Sequence, residues 1–522
     1  MILSLGPMGQ IGVIRDDEPQ TIPLNAWTDA SNVHFRDGKV VRMAGYKSVL
    51  TPSISPLFAL YAQVLAGPFW IYAGTTAVYA TDNSTHADIT RAAGAYSATA
   101  DRNWTGGILG GIPILNNGVD APQAWLSPSL GSDLVNLTNW PASTVCGSLR
   151  PFRNYLVAID VTEGSTRFPH MVRWSHPADP GAVPLSWDYT DPTFDCGRLE
   201  LKESTGYFVD QETLRDINIL YKEDSCFGMQ FIGGNDIFRF FKMFDSVGML
   251  TRRCAVEFFS GKHAVLTADD IVIHDGQSAE SLLKRKLRRT FFNEISSDNY
   301  KRCFVATSYL TQEIYFCYPE AGASYCSMAL VWNWDEGTLT FRELPNISHI
   351  ASGAVDFTGA SVGVWDSDSG TWDTDATEWD YSPIRTNDRR MLWVQPLTNL
   401  FGAPYGVSAD TGTFTSSVER TGIGFPLKVN APPDFTTRKL VSRFWPHLTG
   451  SNGTVINCYI GTQDALDGQV TWQGPFSFTI GTSKWIDCMA NGRLHAFRFS
   501  TSANTPWNLS IIDVNVVPKG TN

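Results

Sequence analysis

Short apolar runs, each broken by a Gly, Asp or Asn turn and followed by a second run, recur along the first two thirds of the chain. They read WIYAGTTAVYA from Trp70, IPILNNGVDAPQAWL from Ile112, YLVAIDV from Tyr155, DINILYKEDSCFGMQFIGGNDIF from Asp216, HAVLTADDIVIHDG from His263 and EIYFCYPE from Glu313. Their centres lie roughly 40 to 60 residues apart, the spacing of four-stranded propeller blades. The pattern predicts an all-β chain built around a β-propeller. That architecture hosts enzymes, lectins and assembly parts alike, so function has to be sought elsewhere.

The flanks read differently. Residues 1–50 form an N-terminal arm and hairpin, in which two strand-like runs flank Asp37-Gly38, a dipeptide suited to a tight turn. Residues 51–395 hold the propeller. From 396 to 522 the runs GIGFPLKVN, RKLVSRFWPHL, TVINCYIG, FSFTIGTSKW, GRLHAFRFS and WNLSIIDVNVV predict a β-sandwich-like domain. In the last run Ile512, Val514 and Val516 alternate with Asp513 and Asn515, which gives one buried and one wet face. One helical signal interrupts the strands near 278–295, with Ser278 and Ser281 as candidate caps and Leu282, Leu283 and Leu287 on one side. Residues 51–81 carry no charge, but Gly67 and Pro68 would break a helix there and Gln63 adds a polar group. Two buried strands fit better than a membrane span.

Composition agrees with a strand-rich globular chain of two or three domains: 522 residues, 43 % hydrophobic, 12 % aromatic and 18 % charged, with 44 glycines and 28 prolines for turns. The net charge of −12 disfavours general coating of DNA, because phosphates are repelled on average. Nine scattered cysteines without a CxxC pair suit reduced thiols better than a disulfide framework. The first residues, MILSLGPMGQIGVIRDDE, lack a basic n-region and a sustained apolar core, so a signal peptide is not indicated.

Candidate chemistry is sparse. In WDSDSGTWDTDATEWD, Trp365, Trp372 and Trp379 recur every seven residues, each followed by Asp. Asp366, Asp368 and Asp373 around Gly370 place carboxylates as a calcium loop would, although the stretch is too short for an EF-hand and lacks the closing Glu. The stretch also resembles the Asp-box of sialidase-type propellers, with Asp366 in place of the Ser and one residue fewer before Trp372. Turn-capping Asp side chains over packed tryptophans, a metal loop and a glycan-stacking platform all remain open. Lys284, Arg285, Lys286, Arg288 and Arg289 crowd five cations into little more than one helical turn. Such a run is a solvated face, a docking surface for another subunit or a DNA contact. Nine dispersed histidines include no HExxH, and the chain has no GxSxG and no P-loop. His170 and His176 flank Trp174 as a candidate pocket. No catalytic residue, cofactor site or firm metal site can be named from the sequence.

The order of these features resembles a known family. The run NVHFRDGKVVRMAGYKS, then LRDINILYKEDSCFGMQFIGG and LVWNWDEGTLTFREL, then GRLHAFRFSTSANTPWNLSIIDVNV, is similar to the tail-hub, tail-nozzle or packaged-DNA-stabilisation proteins of short-tailed bacteriophages. The resemblance implies a structural virion protein without enzymatic activity or cofactor. It implies a homo-oligomeric ring, commonly a hexamer, below the portal and its adaptor protein. That ring would touch tail fibre, spike or needle proteins and pass double-stranded DNA without sequence specificity. It implies assembly in the host cytoplasm and residence in the virion tail, with a role in genome retention and DNA ejection. The competing expectation is a carbohydrate-active propeller, glycosidase or lectin, for which 17 tryptophans and 17 tyrosines could stack on sugars.

Overall fold

The computed structural model describes residues 1–234, 236–259, 261–284, 286–357, 389–397, 399–428 and 431–520. Among them, seven four-stranded antiparallel units succeed one another around a ring. Their first strands are Phe58–Val64, Thr105–Leu109, Thr144–Phe152, Phe208–Leu214, Ala255–Phe258, Phe304–Ser308 and His349–Ala354. These first strands lie side by side from the second unit through the seventh, and the seventh returns to the first. The first and second units are tied by Trp104, whose indole N–H donates to the Gly74 carbonyl at 2.9 Å, and by Asn103 donating to the Leu57 carbonyl at 2.9 Å. The chain is therefore a closed β-propeller, as its periodicity predicts.

The uncharged stretch supplies the first blade's hairpin, Phe58–Val64 and Gly67–Ala73. Gly67 sits at φ +129°, which a side chain rarely adopts. No described helix is long and apolar enough to cross a membrane.

The seventh blade is completed from the other end of the chain. Its strands His349–Ala354, Arg389–Val394 and Leu400–Ala403 are followed by Lys47–Leu50, paired through Phe401 with Ser48 and Leu400 with Leu50. The propeller thus extends to Ala403 and takes in Lys47–Leu50, which moves both borders expected at 50 and 395.

The N-terminal arm is not a separate unit either. The Asp37-Gly38 turn does make a hairpin, Val33–Arg36 with Lys39–Arg42, and its two residues sit at φ +50° and +68°. A two-stranded hairpin is marginal in water. This one gains partners by joining the sheet that runs through Trp507–Gly520, Arg438–Gly450 and Ile486–Gly492, where Val40 faces Leu509 and Val41 faces Asn508; Ile2–Leu5 pairs with Trp507–Gly520 as well. Asp29–Ser31 lies between the sixth blade's outer strand, Thr338–Ile347, and the sandwich strand Ser416–Ile423. One nine-stranded sheet consequently runs from the sixth blade into the sandwich through Leu494–Thr501, Val455–Gln463 and Thr471–Thr479.

The core follows the same continuity. Trp27, Val33, Phe35, Phe341, Phe444, Phe497, Phe499, Trp507, Ile512, Val514 and Val516 are buried in one cluster with Leu266, Ile273, Leu287 and Phe316 of the propeller. The alternation read in the last strand holds, with Ile512, Val514 and Val516 buried and Asp513 and Asn515 half-buried. Trp27 donates its indole N–H to the Met8 carbonyl at 2.7 Å and meets Phe499 edge to face. None of the nine cysteines is paired, and eight are buried.

Arg42 joins the pieces. It is 5 % exposed and its guanidinium donates to Ser416 Oγ at 3.0 Å and to the Phe414 and Val407 carbonyls at 3.1 and 3.2 Å. Burial lowers its pKa to about 10. Arg42→Ala removes a donor from the Phe414 and Val407 carbonyls and from Ser416, which keeps Trp507, and we expect a loss of about 2–4 kcal/mol in urea denaturation. The exposed change Lys428→Ala is expected to leave the midpoint unchanged.

Candidate functional site

The basic run does not form the helix expected at 278–295. Ala279–Ser281 is the outer strand of the fifth blade, residues beyond it turn, and the helix covers only Arg288–Glu294. Tertiary packing decides this: Leu283 and Leu287 are fully buried, and Lys284 takes φ +49°, incompatible with a continuous helix. Neither Ser278 nor Ser281 caps the helix. Ser278 closes a turn on Asp275, and Ser281 Oγ accepts the Lys284 N–H at 3.0 Å. The cap comes from the N-terminal arm, where the Asp16 carboxylate accepts the Arg289 and Thr290 N–H groups at 2.6 and 3.0 Å.

Of the five cations, Arg288 pairs with Asp269 at 2.7 Å and lies 3.7 Å from Asp270. Lys284, Lys286 and Arg289 point to solvent without an ion pair among the described residues, and Arg285 lies outside them. An open groove beside the helix is lined by Asp16, Asp17, Asp269, Arg288, Arg289 and Phe292.

A second concentration of charge, not anticipated from the sequence, lies on the propeller axis. Arg150 of the third blade's inner strand grips Asp210 of the fourth with Nε and Nη2, at 3.1 and 2.7 Å, and reaches Glu212 at 2.9 Å. Asp210 also accepts from Ser148 Oγ at 2.6 Å and from the Arg253 backbone N–H at 2.9 Å. Burial alone would raise the Asp210 pKa, but Arg150 and these donors hold it below the ordinary value. Glu212 is raised, by burial first and only partly offset by Arg150. The available signal was polar residues two apart on inner strands, Ser148/Arg150 and Asp210/Glu212. It becomes readable only once those strands are known to be neighbours.

Other expectations separate in space. His170 accepts or shares a proton with Lys222 Nζ at 3.2 Å, whereas His176 Nδ1 accepts the Asp195 N–H at 3.0 Å, so the two serve different contacts. Asp366, Asp368, Asp373 and the three repeat tryptophans lie outside the described residues. Among the described residues no cluster of His, Cys, Asp and Glu is arranged to hold a metal ion. Ser4, Asp513 and His447 do meet on the sandwich, but Asp513 stands between the other two, with His447 Nε2 at 2.8 Å. A nucleophilic triad needs the histidine in the middle.

One buried network also escaped the sequence. The Tyr221 hydroxyl lies 2.7 Å from His263 Nδ1 and 2.6 Å from His274 Nε2, and His263 Nε2 is 2.9 Å from the Thr213 carbonyl. Burial, with repulsion from His274, lowers His263 to about 3, and burial lowers His274 to about 4.

No protein-family model and no curated protein matches the sequence. Similar solved structures include BBS1N in complex with ARL6DN, at 10 % identity and TM-score 0.28, covering 62 % of this chain and 94 % of that one. Hsv2 of Kluyveromyces lactis is 13 % identical with TM-score 0.28, over 53 % and 82 % of the two chains. The AfRom2 CNH domain is 8 % identical with TM-score 0.33, over 61 % and 93 %. Likenesses this distant say nothing of function, and the propeller rests on the chain's own strand pairing.

The histidine pair sets a pH dependence. Unfolded histidines near 6.5 take up protons before the folded ones, so this stability is present above about pH 6.5 and is lost as pH falls towards 4. Urea midpoints measured from pH 7 to 4.5 are expected to fall, with a contribution on the order of 5 kcal/mol from the pair. His274→Gln is expected to flatten that slope.

Proposed function

We propose that this chain is a structural virion protein that assembles into the ring of a short phage tail, below the portal and adaptor, and continues the DNA channel. The observation that carries the reading is the mounting of Lys284, Lys286 and Arg289. Lys284 and Lys286 sit on a loop anchored by buried Leu283 and Leu287, and Arg289 in the first turn of the helix that follows, next to a groove bearing both charges. Like charges held close on a fixed scaffold are stabilised by an opposite charge across an interface. Assembly parts also profit from rigidity, and the sheet shared by the sixth blade and the sandwich supplies it.

The carbohydrate-active alternative draws on the tryptophans, yet Trp27, Trp70, Trp104, Trp125, Trp187, Trp393 and Trp507 are fully buried. Those side chains cannot stack on a sugar. Sustained turnover on a glycan, lost on changing one Asp or Glu, would reverse the ranking.

Replacing Lys284, Lys286 and Arg289 together by Glu is expected to abolish rings in negative-stain images while the monomer melts as before. Normal rings from that variant would show the face to be merely solvated. With an overall charge of −12, the ring lumen is expected to be acidic and to bind duplex DNA weakly even at low salt. Tight binding with a steep salt dependence would mean a basic clamp instead.

A further inference from the structure

The strands nearest the propeller axis all begin on one face, so the links that precede them converge there. Asn103 comes from the link into the second blade, Arg252 and Arg253 from that into the fifth, Lys301 and Arg302 from that into the sixth, and Ser348 from that into the seventh. Together they bound a narrow, partly open recess, with free space of about 10 Å³, enough for a water or a small ion.

The charges around this recess do not balance. Arg302 pairs with Asp101 at 2.8 Å, and Arg150 below takes Asp210. Among the described residues no carboxylate comes within ion-pair distance of Arg252 or Arg253, although Asp210 acts on both from further away and Asp160 on Arg252. Arg252 Nη1 and Arg253 Nε and Nη1 are shielded from solvent and make no hydrogen bond, and the Arg253 Nη2 contact to the Ser348 carbonyl is a long 3.5 Å. Other guanidiniums with a shielded, unbonded Nε, such as Arg42 and Arg420, direct their remaining nitrogens to several carbonyl or hydroxyl acceptors.

The two side chains are also held in place. Arg253 sits at φ +63° in a turn fixed by Asp210, with its guanidinium over Phe58 and Phe304 at 5.5 and 5.8 Å. Arg252 lies against Gly118 of the second blade, where a β-carbon would come within 3.0 Å of Nη1. Both residues are half-buried, so it is the shielded nitrogens rather than the whole guanidiniums that are cut off from water. A shielded donor left unbonded is costly.

We propose that this recess binds one small inorganic anion, chloride or the inserted oxygen of an oxyanion, which completes the donors of Arg252 and Arg253 and pins four inter-blade links on the axis. A single small anion matches the space and supplies an acceptor for the unbonded donors. The site is separate from the basic loop and does not depend on the ring proposal.

Thermal melts at equal ionic strength in sodium gluconate, chloride, bromide and phosphate test it. The wild-type chain is expected to gain about 2 °C in chloride and bromide, saturating with concentration. A gain in phosphate alone would assign an oxyanion rather than a halide. Arg252→Met is expected to lose the response while melting in gluconate no lower than the wild type, because it removes a shielded donor that has no partner. Crystals soaked in bromide provide a readout that needs no variant, with an anomalous peak expected beside Arg252 and Arg253. No anion response and no peak, or a response unchanged in Arg252→Met, would overturn the proposal.

Discussion

The structure depends on what the first fifty residues do with unpaired strand edges. An open blade edge and an open sandwich edge each expose a row of N–H and C=O groups that must be paired or covered. Lys47–Leu50 pairs the outer edge of the seventh blade, and Asp29–Ser31 bridges the sixth blade to the sandwich. Lys39–Arg42 and Ile2–Leu5 add to the second sandwich sheet. Without this arm the seventh blade would lack its outer strand and the sixth blade would lose the strand that joins it to the sandwich.

Because the arm is shared, the parts are mechanically coupled. One apolar cluster runs from Ile512 and Phe444 in the sandwich to Leu266 and Phe316 in the propeller, and Asp16 of the arm caps the helix Arg288–Glu294. A load on the sandwich therefore reaches the fifth and sixth blades through packed side chains and a common sheet. This coupling bears on the assembly reading, since the exposed cations are carried by the loop and helix start that the arm braces.

Charge is handled in two contrasting ways. Between the third and fourth blades, Arg150 and Asp210 meet in a two-bond clasp with further donors, an arrangement that compensates burial. At the mouth of the axis, Arg252 and Arg253 are half-buried, with shielded nitrogens that make no hydrogen bond among the described residues. The first arrangement is a joint between blades; the second leaves donors unsatisfied.

The strands and their turns were legible locally. The period of two, the Asp37-Gly38 hairpin, the break at Gly67 and Pro68 and the alternation around Ile512 need only neighbours along the chain, because strand and turn preferences are short-range. The basic segment was misread for the same reason: Ser278, Leu283 and Leu287 have helical spacing, but burial of the two leucines from a turn and the cap from Asp16 override it. Residues far apart in sequence escaped altogether. Arg150 meets Asp210 and Tyr221 meets His263 and His274 because successive blades pack side by side, and Arg252 meets Gly118 only because the blades converge on one axis. The chain's pattern by itself determined that strands form and roughly how they repeat; which polar groups share a low-dielectric interior, and so which are paired or left needing a partner, was decided by tertiary packing.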